Sequence, residues 1–446
     1  MKNQADKSKK LLLLEKVLRF WVIAILKKYN PRIVGVTGSV GKTSAKEAIF
    51  EVLSKNYRVR KNEKNYNNEI GLPLTIFGCE GGGSSILGWL MVFLKAFWLV
   101  IFPVEYPEIL VLEMGADRPG DISYLTSFIR CEAAVLTEIS GSHLEYFKNV
   151  HGVAKEKWTL VDNVLPDGMA AVNIDNPVIA KFKSQNKNDK IEILTFGFSP
   201  EADIQAQEAF FNYSSEDGFS QREIKGLSFK LSYKGTMIPV RLNNVLARHS
   251  IYAALAAVAV GLKFKLNLVE IAAALTNFSL PSGRTTLIAG LRNSFIIDDT
   301  YNSSPVSATA ALEILQEIKA PRKIAVMGDM LELGKDTESG HQMVAKNFLA
   351  AKGDIFFAVG RRMQFAAEEL KKHNFNPEKI FIFPDPISAG RKLKEIVQDG
   401  DLILVKGSQS MRMEKVVEEI MAEPAAASYL LCRQDEAWKK KEWREV

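Results

Sequence analysis

Eight residues, Thr37-Gly38-Ser39-Val40-Gly41-Lys42-Thr43-Ser44, constrain this chain more than any others. They follow a short apolar run, Arg32 to Thr37, and precede a stretch from Ser44 to Ser54 with helical periodicity. Strand, glycine turn and helix in that order form a nucleotide-binding βαβ unit. Backbone N–H groups of such a loop cradle phosphate oxygens at the positive end of the helix dipole. Lys42 supplies a point charge to the β- and γ-phosphates, and the Thr43 hydroxyl can bind Mg²⁺. The strict form of this loop has glycine at position 36, where the chain has Val36.

The rhythm of the chain extends this reading. Buried-strand candidates recur at Ile109 to Leu112, Ala133 to Leu136 and Ala170 to Val172, with helical patterns between several of them. A mostly parallel, doubly wound sheet is expected. From Pro200 to Val240 the pattern changes to alternating strands with turn residues, which suggests an antiparallel edge, and a long alanine-rich helix follows from Ile251 to Val260. Pro281-Ser282-Gly283 reads as a hinge. Beyond it, Phe295 to Ile297, Lys323 to Val326, Ile355 to Val359 and Leu402 to Val405 restart the βα alternation. The expected fold is α/β: a P-loop central domain plus a smaller, Rossmann-like C-terminal domain. The expected boundaries are an apolar or amphipathic helix over 1–30, the central domain over 31–282 with an apolar insertion at 84–103, and the C-terminal domain over 283–446. The tail from Ala425 reads as a strand and then a solvated helix.

Composition narrows the class. With 58 basic against 52 acidic residues the excess is mild, and no basic–aromatic platform accompanies it, so nucleic acid is not the expected partner. Three cysteines, Cys79, Cys131 and Cys432, lack metal-ligand spacing and fit a reducing cytoplasm. Two apolar runs stand apart: Leu11 to Leu26, interrupted by Glu15, Lys16 and Arg19, and Ile86 to Phe102, with Lys95 its one charge. The second is at the short limit for a membrane span of ~20 residues. Crossing there would also split the nucleotide domain. Two readings stay open: interfacial helices at the inner face of the membrane, or helices packed on each other or on the core.

The remaining motifs carry a resemblance. The loop itself, Asn65-Tyr66-Asn67-Asn68-Glu69-Ile70-Gly71-Leu72-Pro73-Leu74, Leu112-Glu113-Met114-Gly115-Ala116 with Pro119-Gly120-Asp121-Ile122, and Ser142-His143-Leu144-Glu145 with Ala154-Lys155-Glu156-Lys157 follow one another in order. Gly283-Arg284, Asp298 to Pro305, Gly328-Asp329-Met330-Leu331-Glu332-Leu333-Gly334 and Lys406-Gly407-Ser408 complete the series. From about residue 32 to 420 the chain resembles the Mur ligase family, which also lacks the first glycine of the loop. Its nearest branch adds D-alanyl-D-alanine to a UDP-N-acetylmuramoyl-tripeptide in cell-wall biosynthesis.

The resemblance implies an ATP-dependent amide ligase that activates a carboxylate as an acyl phosphate, with ATP and Mg²⁺ required. It places the phosphates on Gly38, Ser39, Val40, Gly41, Lys42, Thr43 and Ser44, and Mg²⁺ on Thr43, Glu113, His143 and a carbamylated Lys157, with Lys155 as competitor for that last role. It also implies a phosphate-contacting Arg284 and nucleotide contacts from Asn302 and His249, although Ser250 stands where the family has asparagine after the histidine. Asn65, Asn67, Asn68, Asp329, Lys406 and Ser408 fall where substrates dock. Closure over the hinge would shield the acyl phosphate from water.

Family members carry an N-terminal domain that holds the uridine nucleotide. Here about thirty residues, read as one lysine-flanked helix, precede the first strand. The acceptor is then held by the central domain alone, or differs and is lipid-linked, or is gripped by a partner. The two apolar helices, packed together, are the expected replacement. The rival readings are another ligase of the superfamily and a non-catalytic nucleotide-binding partner at the membrane. A monomer acting on small-molecule substrates is expected.

Overall fold

A computed structural model of the chain describes residues 9–63, 66–83, 85–141, 144–186, 188–213 and 224–439. Contacts divide it into two compact units: 1–209, 228–241 and 249–278 form one, and 210–227, 242–248 and 279–446 the other.

The first unit opens with helix α1 (Lys9–Tyr29) and strand β1 (Arg32–Thr37). Helix α2 (Lys42–Leu53), β2 (Val59–Lys61), α3 (Gly71–Phe77), α4 (Ile86–Ile101) and β3 (Ile109–Glu113) follow. Next come α5 (Asp121–Thr126), β4 (Cys131–Leu136), α6 (Leu144–Phe147), α7 (Val150–Asp162) and β5 (Val164–Asn173). Helix α8 (Pro177–Gln185), β6 (Glu192–Gly197), β7 (Ile204–Tyr213), β8 (Ile224–Tyr233), β9 (Thr236–Asn243), α9 (Ser250–Lys263) and α10 (Leu268–Leu275) follow, with 210–213, 224–227 and 242–243 of the last three strands grouped with the second unit. The nine strands form one sheet in the order β2-β3-β1-β4-β5-β6-β7-β8-β9. All pairings from β2 to β7 are parallel. Crossover helices cover such strands on both faces, so β3 is buried along its whole length. Beside it, β1 sets Val36 opposite Glu113. That register brings the carboxylate at the end of β3 next to the loop at the end of β1.

Helices α1 and α4 do pack together. Helix α1 buries Leu18, Val22 and Ile25, one stripe at helical spacing, each contributing roughly 1.5–3 kcal/mol. Trp21 meets Phe97 edge-on at 6.3 Å, and Tyr29 stacks on Tyr106 at 4.4 Å. Lys28 Nζ donates to the carbonyls of Leu99, Val100 and Phe102 at 3.0, 3.0 and 2.7 Å. It thus satisfies the orphan acceptors at the end of α4, where no glycine cap exists.

The second unit holds a six-stranded sheet, β10-β11-β15-β12-β13-β14. Its strands are β10 (Thr286–Ala289), β11 (Phe295–Asp299), β12 (Lys323–Gly328), β13 (Ile355–Val359), β14 (Ile380–Phe383) and β15 (Leu402–Lys406). Only β10 runs antiparallel to its neighbour. The tail departs from expectation. Among its described residues there is no strand, but a 3-10 turn at Pro424–Ala426 and short helices at Ala427–Leu430 and Glu436–Lys439. Proline at a helix start followed by alanines favours helical turns over extension.

Candidate active site

The phosphate-loop geometry is built on glycine. Gly38 has φ 156°, and a Cβ there would lie 2.0 Å from Thr137 Oγ1. Gly41 caps α2 with φ 83°. Thr137 fixes the loop from β4's end by donating to Val40 O at 2.6 Å, and Ser39 N donates to Glu138 O at 2.6 Å. Lys42 Nζ donates to Gly38 O at 2.7 Å and Ser39 O at 3.3 Å, curling over the loop its helix begins with. Thr43 is half-buried in the first turn, Ser44 is buried, and Val40 points outward.

Glu113 lies at the end of β3, buried, with its backbone N–H donating to Asn62 Oδ1 at 2.7 Å. Asn67 Nδ2 donates to Glu113 Oε1 at 3.3 Å. Oε2 is buried with no hydrogen-bond partner among the described residues. A buried carboxylate oxygen left open in this way fits a cation, since an unpaired charge there is otherwise costly. No three His, Cys, Asp or Glu side chains come together as a complete ligand set among the described residues. His143 and Asn65 lie outside those residues.

On α7, Lys157 shares a face with Val153, Leu160 and Val161 and is buried, whereas Lys155 is exposed on the other side. Burial first, and then the charge of Lys42, push the Lys157 amine down to about 7, against the opposing pull of Glu156 and Asp117. Glu156 itself accepts from Gly120 N and Ile122 N, both at 2.8 Å, and so anchors the start of α5. Asn68 Oδ1 accepts from Gly71 N at 2.9 Å at the head of α3, while His249 is exposed at the head of α9. Between α1 and the loop before α5 lies a cavity of about 480 Å³ lined by Leu12, Glu15, Asn67, Asp117, Arg118 and Tyr124 among others.

In the second unit Arg284 stacks over Tyr301 at 4.3 Å from the ring centre. Lys406 is buried and donates to Asp299 Oδ2 at 2.6 Å and Asn302 O at 2.9 Å, which fixes the loop that presents the exposed Asn302. Asp329 is buried at the end of β12; Oδ1 accepts from Met363 N at 2.7 Å, and burial raises its pKa. Ser408 Oγ accepts from Leu331 N at 2.9 Å. Ser408→Ala leaves that amide unpaired, and an expected loss of roughly 1–3 kcal/mol of stability can be read from urea unfolding.

The Mur ligase middle-domain profile matches residues 36–87 and 99–261, and the Mur ligase glutamate-ligase-domain profile matches 283–409. The chain belongs to the Mur ligase family. The Bacillus subtilis UDP-N-acetylmuramoyl-tripeptide--D-alanyl-D-alanine ligase is 31% identical over 403 residues, covering 90% of this chain and 78% of that protein. The Escherichia coli ligase of the same name is 31% identical over 397 residues, covering 87% and 76%. Among solved structures, MurF from Acinetobacter baumannii superposes with TM-score 0.74 at 24% identity, covering 92% of this chain and 81% of that one. The Thermotoga maritima MurF ligase in complex with ADP gives 0.71 at 24%, covering 91% and 83%.

Mur ligase motifs in the sequence do not include every residue that shapes this site. Asn62 binds the Glu113 backbone from 51 positions away. Asn176 Nδ2 donates to Glu138 Oε1 at 2.6 Å beside the loop, and Tyr252 donates to Asp175 at 2.9 Å. The sequence signal for the latter pair was Asn173-Ile174-Asp175-Asn176, four residues straddling the end of a buried strand.

Proposed function

We propose that this Mur ligase joins D-alanyl-D-alanine to a UDP-N-acetylmuramoyl-tripeptide-like precursor in the cytoplasm, with ATP converted to ADP and phosphate. The observation that carries the reading is 31% identity to the B. subtilis ligase of that name across 90% of this chain. The chemistry on the first unit agrees with it. Amide formation needs the acceptor carboxylate activated, here as an acyl phosphate, and the transferred phosphoryl group spreads negative charge over its oxygens.

Gly38 to Ser44 bind the ATP phosphates, with Lys42 swinging from the loop carbonyls to the transferring group. Thr43, Glu113, His143 and a carbamylated Lys157 would hold Mg²⁺, and the open Oε2 of Glu113 is the feature that fits it. Held there, the ion would supply positive charge against the phosphate oxygens. An amine held near 7 is half unprotonated at neutral pH and can attack CO₂, forming an N–C bond and releasing a proton to water. The product is an anionic ligand in place of a cation. Asn67 and the cavity beside α1 receive the acceptor. Arg284 and Asn302 contact nucleotide, and Asp329, Lys406 and Ser408 shape the loops that receive the incoming amine.

The test is phosphate release from ATP by the full chain with Mg²⁺ and bicarbonate. UDP-N-acetylmuramoyl-tripeptide and D-alanyl-D-alanine are added singly and together. Release that needs both, with the pentapeptide product identified by mass, supports the reading. ATP binding without stimulated release overturns the assignment of the acceptor.

A further inference from the structure

Helix α4 shows the solvent a face that an isolated domain does not ordinarily expose. Leu87, Leu90, Met91, Leu94, Trp98 and Ile101 are all at least half exposed. Its other side, Val92, Ala96 and Leu99, is already committed to the core. Leu13, Phe20 and Ile23 of α1 are exposed as well, at the spacing of one helical stripe. Contiguous exposed apolar surface on this scale marks an interaction site. The middle of α4, residues 88–98, lies outside the stretches that match the Mur ligase profile, so the family's chemistry does not account for it.

The charges name the occupant. Among the described side chains, Lys16, Arg19, Lys27 and Lys28 lie on α1 and Lys95 on α4, against one acid on these two helices, Glu15, which is buried. A rim of a single sign repels a second copy of itself and attracts anionic headgroups. Exposed Trp98, Phe97 and Phe20 are the side chains that settle at a membrane interface, and lysines extend their stems along such a surface. At 16 residues α4 is about 24 Å long, short of the ~30 Å hydrocarbon layer. No described helix is long and apolar enough to cross a membrane.

We propose that the α1–α4 face docks this ligase on an anionic lipid bilayer, with α4 lying in the plane of the headgroups. The dock is independent of which acceptor the site uses. The full chain is sedimented with vesicles of phosphatidylglycerol and phosphatidylcholine, and with phosphatidylcholine alone. The expected result is binding to the anionic vesicles that weakens with salt, and quenching of tryptophan fluorescence by brominated lipid. Leu94→Glu with Trp98→Glu is expected to lower partitioning on the order of tenfold or more, with the unfolding midpoint unchanged. Lys16→Glu with Lys27→Glu removes the preference for anionic lipid and leaves the apolar face in place. Protein that stays in the supernatant with both vesicles overturns the proposal. So does binding that neither double substitution alters. A dimer in analytical ultracentrifugation that Leu94→Glu with Trp98→Glu dissolves, without vesicle binding, assigns the face to a second copy instead.

Discussion

Lys157→Met is expected to reduce ligation on the order of a hundredfold and, in the same protein, to raise stability at pH 7. The two effects have one origin. Burial and the neighbouring Lys42 hold the amine at about 7, against 10.5 for an unhindered lysine. Between those values the unfolded chain keeps a proton that the folded chain has lost. Stability therefore rises with pH from about 7 towards 10.5, and at pH 7 burying this amine costs on the order of 4 kcal/mol. Methionine has similar length and no charge, so urea unfolding across this range should show a higher midpoint near neutrality and a flatter dependence above it. A buried amine held at such a cost is a candidate for a role in the chemistry, which is what the proposed function assigns to it. The activity arm separates the roles. If the amine is carboxylated by CO₂, ¹³C-labelled bicarbonate gives a carbamate resonance that Lys157→Met removes. Full ligase activity in Lys157→Met would end the catalytic assignment, whatever its stability.

The family motif singled out Lys157 over Lys155, and the helical repeat accounts for the difference in their burial. Val153, Lys157, Leu160 and Val161 fall on one side and Lys155 on the other, a distinction that needs only the 3.6-residue repeat. The parallel strands were legible for a related reason. A strand covered on both faces, such as β3, reads as an unbroken apolar run, and the charge at its end, Glu113, stands out against it. What the motifs could not give is contact between distant segments. Asn62 and Glu138 are unremarkable polar residues until the fold sets one against Glu113 and the other beside the loop. Tail residues misled for the converse reason: alanines have weak patterning, so neither a strand nor a helix period could be read from them.

That tail holds the second large effect. Glu414→Gln is expected to destabilise the second unit by about 3–5 kcal/mol, measured by urea unfolding. The Glu414 carboxylate is fully buried between two guanidiniums: Arg412 Nε donates to Oε1 at 2.5 Å and Arg433 Nη2 to Oε2 at 2.6 Å. Arg433 also donates to Thr300 O at 2.6 Å and Tyr301 O at 3.0 Å, so it ties the tail to the loop that carries Asn302. Removing the acid that bridges them leaves two buried cations without their shared partner, whereas Arg433→Met still leaves Glu414 paired with Arg412 and is expected to cost less. Asp298 offsets part of the loss, because the Glu414 charge is among the causes that hold its carboxyl up, so Glu414→Gln favours its ionised form near Arg433. The order of the two losses distinguishes this account from simple loss of packing. Were the triad only filler, the larger side chain, Arg433, would cost more than the near-isosteric Glu414→Gln. The loop from Thr300 to Asn302 would then be positioned by β11 and Lys406 alone, and Arg433→Met would leave nucleotide affinity untouched.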